Sequence, residues 1–164
     1  MINKVIVTSL EKKFKKFEKK IKLAAQKILR ILGKPPHQTR IGAKSAKNNN
    51  KSSLWCGGKN NVLVEIYLIN SQKMRFLNKK FRGKDKTTTV LSFEEPRNFI
   101  LPPSKSKKIG EIYLNSQLPN YSITQLLTHG LLHLLGYNHQ KKNDRIKMEK
   151  AEQKLLRQTL NPKF

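Results

Sequence analysis

HGLLHLLGYNH, residues 129–139, holds three of the four histidines in the chain. Read as a helix, it sets His129 and His133 at i and i+4, so both imidazoles leave one face a turn apart and can share a single metal ion. Gly136 follows the apolar run, and a glycine just past a helix end readily takes the left-handed conformation that turns the chain back. His139 then returns toward the pair as a third ligand. Three neutral nitrogens and one open position make a catalytic zinc site, whereas structural zinc is closed by four protein ligands, often cysteines. This chain has one cysteine. In the alternative reading His129 and His133 are buried helix histidines and His139 is a loop residue. Three imidazoles so closely spaced, with a turn glycine among them, count against it.

The helix that carries this stretch opens at Ser122, with Gln125 three residues on, the pattern of a capping box, while Tyr121 and Leu126 fit a hydrophobic staple. Leu126, Leu127, Leu131, Leu132, Leu134 and Leu135 make it apolar nearly all round. It is therefore expected to run through the core and present its histidines to the floor of a cleft. The histidine spacing equals that of the metzincin signature H-E-x-x-H-x-x-G-x-x-H. Where a metalloprotease has glutamate as general base, however, this chain has Gly130. The same metal scaffold is thus expected to serve a different hydrolysis.

Working outward, Val5, Ile6 and Val7 read as a short strand. Phe14, Phe17, Ile21, Ala24 or Ala25, Ile28 and Leu32 recur at three or four residues with lysines on the other face, and Gly33 with Pro35 and Pro36 stops the pattern. This predicts an amphipathic helix, for which a membrane-surface helix is the competing reading. Residues 37–61 are polar and rich in Asn, Gly, Ser and Lys, the composition of an exposed, poorly ordered loop. Within it, Trp55 either anchors the loop on the core or stacks on a base. A strand over 62–69, a short helix over Gln72–Asn78 and two strands in TTTVLSF (87–93) and IGEIYL (109–114) follow, the last two divided by a loop with Pro96, Pro102 and Pro103. A final helix, Asp144–Leu160, shows Met148, Ala151 and Leu155 on one face. The expected fold is a single α+β domain over residues 1–164, with helices packed on a small mixed sheet and the three-histidine helix and turn beside it.

A length of 164 residues suits one domain with one core. Lys+Arg of 35 against Asp+Glu of 10 gives a net charge of +25, a field that favours RNA, DNA or an anionic membrane face. The excess of lysine over arginine keeps a merely solvated basic surface open as the alternative. Cys56 has no partner in the chain, so no disulfide framework exists and a reducing compartment, the cytoplasm, is expected. No run of about 18 apolar residues is present, so no membrane span is expected. The first ten residues lack a signal-peptide core.

LNKKFRGKDKTTTVLSF (77–93), IGEIYL and HGLLHLLGYNH together resemble the YbeY family of single-domain, metal-dependent endoribonucleases of ribosomal RNA maturation. The matching positions run from about Leu77 to Glu152. The resemblance implies a single-strand-specific endoribonuclease in ribosomal RNA processing and ribosome quality control. It implies that His129, His133 and His139 bind one zinc ion, with water or substrate in the fourth position, and that Arg82 and His129 are catalytic. It also implies RNA, ribosomal proteins or the small ribosomal subunit as partners. Such roles make chemical sense: zinc polarises a phosphoryl oxygen, and a guanidinium can hold a phosphate by two parallel hydrogen bonds. Water and the RNA 2'-hydroxyl are both open as nucleophile. Without the resemblance, Arg82 reads as a surface cation or a partner for Asp85. Departures from the family pattern are Asn138 and Thr89 in place of aspartates, Glu111 in place of the aspartate of G-D-I, and a segment 115–122 too short for the helix the family places there. Two other functions stay open: a metalloprotease-type hydrolase, and an RNA- or ribosome-binding protein with a structural zinc.

Overall fold

A computed structural model describes residues 4–32, 61–96, 106–117 and 122–160. The loop expected over 37–61, with Trp55 and Cys56, lies outside these residues except for Asn61. So do Pro35, Pro36, Pro102, Pro103 and Tyr121.

The chain begins with strand β1 (Lys4–Ser9), a 3-10 segment (Lys12–Phe17) and helix α1 (Glu18–Leu32). The periodicity from Phe14 to Leu32 is therefore divided between two helix types. Its early residues form the tighter turn leaving β1, and the Glu18 carboxylate accepts a hydrogen bond from the Ser9 amide at 2.8 Å, closing the corner. Strand β2 (Asn61–Ile69) leads to α2 (Ser71–Arg82), four residues longer at its C-terminus than the pattern predicts. Strand β3 (Val90–Glu94) is shorter than the threonine-rich run, and β4 (Ser106–Asn115) is longer than IGEIYL. Helices α3 (Ile123–Leu134) and α4 (Lys142–Leu160) complete the order.

The four strands form one mixed sheet in the order β1-β2-β4-β3, with β1 and β4 parallel to β2, and β3 antiparallel to β4. Alternation along each strand makes two apolar faces. Val64, Ile66 and Leu68 of β2, with Ile112 and Leu114 of β4, pack against Ile21, Ala25 and Ile28 of α1 and Leu127, Leu131 and Leu134 of α3. On the opposite face Ile69 and Leu91 cover Met74 of α2. Helix α4 lies behind α3, where Met148 and Leu155 bury against Leu132. Thus α3 is covered by the sheet on one side and α4 on the other, as its leucine content predicts, and the fold is α+β. Among the described residues no helix is long and apolar enough to cross a membrane.

Candidate metal centre

The site is built at the end of α3. Gly130 lies so close to the sheet that a Cβ there would stand 3.1 Å from Ser92 Oγ and 3.2 Å from Ile112 side-chain carbons. That close approach seats α3 on β3 and β4 and leaves His129 and His133, on the adjoining face, beside the edge strand. Gly136 then ends the helix with φ of 86°. Its amide donates to the His133 carbonyl at 2.8 Å and the Tyr137 amide to the Leu132 carbonyl at 3.0 Å, the Schellman pattern. This turn returns the chain and brings His139 over the helix end.

The three imidazoles meet. Ring centroids are 4.7 Å apart for His129–His133, 5.0 Å for His133–His139 and 5.7 Å for His129–His139. One ligand nitrogen from each lies within 4.8 Å of the others, a group that can hold a metal ion, and the Nε2 atoms of His129 and His133 are 3.1 Å apart. Around a tetrahedral zinc with bonds of about 2.1 Å, ligand nitrogens sit about 3.4 Å apart. The His129–His133 pair is already near that spacing, and His139 is the exposed member of the three. The donors also have the right protonation state. Burial first, then His129, hold His133 down at about 4, and burial, His139 and Arg82 lower His129. Both rings are therefore neutral at pH 7, as metal ligands must be. His133 Nδ1 donates to the Tyr137 carbonyl at 3.0 Å, so its Nε2 carries the lone pair.

The histidines line a cavity of about 740 Å³ shared with Arg82, Thr89, Ser92 and Asn138. Arg82 closes α2 just before Gly83 and is exposed. Asp85 is not its partner: that carboxylate accepts from Arg75 Nε at 2.7 Å and Lys79 Nζ at 2.9 Å, which hold it at about 2. The next segment, with Thr88 and Thr89, is pinned behind the cavity wall. Buried Asn78 donates to the Lys86 carbonyl at 2.7 Å, and buried Asn115 donates to Thr87 Oγ1 at 3.0 Å. Every site residue expected from the sequence thus falls on one cavity.

Three details differ from expectation. Glu111 lies on the far face of the sheet, bonded to Lys108 Nζ and the Tyr113 hydroxyl, each at 2.8 Å, so its exchange for aspartate does not alter the cavity. Ser122 is the N-cap of α3 but makes no side-chain capping bond, and Gln125 lines the cavity instead of closing a capping box. Glu152 of α4 reaches the same cavity and was not singled out by the sequence reading. A signal was there: it interrupts the apolar stripe of Met148, Ala151 and Leu155.

The family described as Endoribonuclease YbeY matches residues 37–160. A curated relative from Buchnera aphidicola subsp. Baizongia pistaciae, endoribonuclease YbeY, is 31% identical over 153 residues, covering 87% of this chain and 92% of its own. Endoribonuclease YbeY of Thermodesulfovibrio yellowstonii is 39% identical over 107 residues, 58% of this chain and 65% of its own. The chain also spans 63% of the Chelativorans protein of that name. A Thermotoga maritima protein of known solution structure aligns with 94% of this chain and 88% of its own at 22% identity and a TM-score of 0.49, too low to bear on the assignment. The sequence matches decide it: this chain belongs to the endoribonuclease YbeY family.

Proposed function

We propose that the protein is a zinc-dependent, single-strand-specific endoribonuclease acting on ribosomal RNA or its precursors in ribosome maturation and quality control. It would work in the cytoplasm with ribosomal proteins or the small ribosomal subunit. The observation that carries this reading is the convergence of His129, His133, His139 and Arg82 on one cavity in a chain of net charge +25. The name of the relatives, endoribonuclease, supports RNA as substrate.

His129, His133 and His139 would hold the zinc, which would act as a Lewis acid on a phosphoryl oxygen and make a water molecule more acidic. Arg82 offers a planar pair of N–H donors to the scissile phosphate and offsets the negative charge that grows there as the bond breaks. Neutral imidazoles leave that charge to the guanidinium and the ion. Peptide hydrolysis is disfavoured, because the place of a metalloprotease's glutamate base is held by Gly130, where even a Cβ would crowd Ser92 Oγ at 3.1 Å and Ile112 at 3.2 Å.

The test is cleavage of a single-stranded ribosomal RNA fragment by zinc-loaded protein, with chelator-treated and His133→Ala protein in parallel. Cleavage by the loaded parent alone is expected. A 2',3'-cyclic phosphate product would identify the ribose hydroxyl as nucleophile, and a 5'-phosphate would identify water. Intact RNA with folded, zinc-bound parent would overturn the nuclease reading.

A further inference from the structure

The metal centre proposed above leaves one question to the fold: what fixes the ring of His129? His133 is held from behind, since its Nδ1 donates to the Tyr137 carbonyl at 3.0 Å. His129 has no such carbonyl partner among the described residues. What faces its Nδ1 is the Glu152 carboxylate, with Oε1 3.8 Å away. The opposite nitrogen, Nε2, faces His133 Nε2 at 3.1 Å, so the carboxylate and the proposed ion would lie at opposite ends of one imidazole.

The placement of Glu152 is costly by the ordinary rules of helix pattern. Position 152 follows Met148 by four residues and precedes Leu155 by three, so it shares the face of α4 that packs on α3. Its side chain is 25% exposed, whereas that of Glu149, one turn earlier, is 58% exposed. A core-facing carboxylate needs a compensating partner, and the one that faces it is His129 Nδ1, at 3.8 Å an ion-pair separation about 0.8 Å longer than a hydrogen bond, which the contact inferred below has to close.

Resting on the metal-centre reading, we infer that Glu152 is the positioning residue of His129: its carboxylate accepts the Nδ1 proton, fixing the tautomer and aiming the Nε2 lone pair at the metal. A carboxylate behind a ligating imidazole also raises the basicity of the ligand, and losing such a partner typically costs about 10–100-fold in metal affinity. Glu152 acts through His129 and makes no contact with the substrate. Helix α4 thereby becomes part of the metal centre, coupling ring orientation to the packing of Met148 and Leu155 on Leu132.

The experiment measures zinc affinity by chelator competition, and thermal stability without metal, for the parent and for Glu152→Gln, Glu152→Met and His129→Ala. Glu152→Met fills the apolar stripe, so its metal-free stability should equal or exceed that of the parent while zinc affinity falls about 10–100-fold. Glu152→Gln keeps an acceptor oxygen without the charge and should lose less. Zinc affinity of Glu152→Met within twofold of the parent, with His129→Ala strongly weakened, would overturn this inference and leave the metal centre standing. Affinity that merely follows thermal stability across the variants would also overturn it, by showing a packing role. A parent that binds no zinc would overturn both readings together.

Discussion

Arg82 is the residue at which binding and chemistry can be separated. It shares the cavity with the histidines yet is no metal ligand, so Arg82→Ala should lower kcat for RNA cleavage about 10²–10³-fold, the usual loss when one preorganised donor to a developing anion is removed. Zinc affinity, measured by chelator competition, should stay within a few-fold of the parent. Arg82→Lys should recover only part of the rate, because an ammonium cannot offer two parallel donors; full activity in Arg82→Ala would remove this residue from the mechanism. His133 makes a second prediction at this scale. Its pKa falls from 6.5 toward about 4 in the folded, metal-free protein, so between those values the unfolded chain binds more protons. Stability should therefore fall as pH drops from about 6.5 to 4, and His133→Gln should flatten that slope in urea titrations. Asp85, held at about 2, titrates below this window. The spacing alone made the three histidines legible as one cluster that could hold a metal ion. Glu152 was not, because its break in the apolar stripe of Met148, Ala151 and Leu155 names no partner until the packing of α4 on α3 is known.

At the scale of the element, α3 and its turn separate two kinds of local signal. The serine-to-glutamine pattern at Ser122 and Gln125 resembles a capping box, but the hydroxyl makes no capping bond in the folded chain. Ser122→Ala should then change thermal stability by less than about 0.5 kcal/mol, against the roughly 1 kcal/mol of a working N-cap. A loss of the full amount would show that the cap forms in solution. The turn at Gly136 behaves as its residue type demands. With φ of 86°, Gly136→Ala should destabilise by about 1–2 kcal/mol, the cost of a left-handed residue with a Cβ. It should also weaken zinc binding, because His139 hangs on that turn; unchanged affinity would show that the third ligand reaches the metal independently of the turn. The element boundaries that the pattern missed have local causes. Helix α2 runs on to Arg82 because Gly83, not the last apolar residue, supplies its stop. The threonines before β3 are drawn out of the strand by their bonds to Asn115.

Across the whole molecule, charge and topology do different work. The +25 charge acts on any polyanion, so affinity for a single-stranded RNA oligonucleotide should fall about 10³–10⁵-fold between 50 and 200 mM salt if 6–10 phosphates are contacted. It should fall equally in parent and His133→Ala, since phosphate contacts spread over the surface do not depend on the ion. A shallow slope would assign the lysines to solvation alone. The sequence by itself determined the class of fold, the order of its main elements and the grouping of three histidines that could hold a metal ion, because each rests on short-range periodicity: 3.6 in the helices, 2 in the strands, and one turn plus a glycine between the imidazoles. Only the tertiary structure decided which strands are neighbours, that Arg82 comes from the far end of another helix to the histidines, that Glu111 faces away from them, and that α4 delivers Glu152 behind His129. These are relations between segments far apart in the chain, set by which apolar faces must cover one another. No local pattern encodes the partner against which a face will be buried.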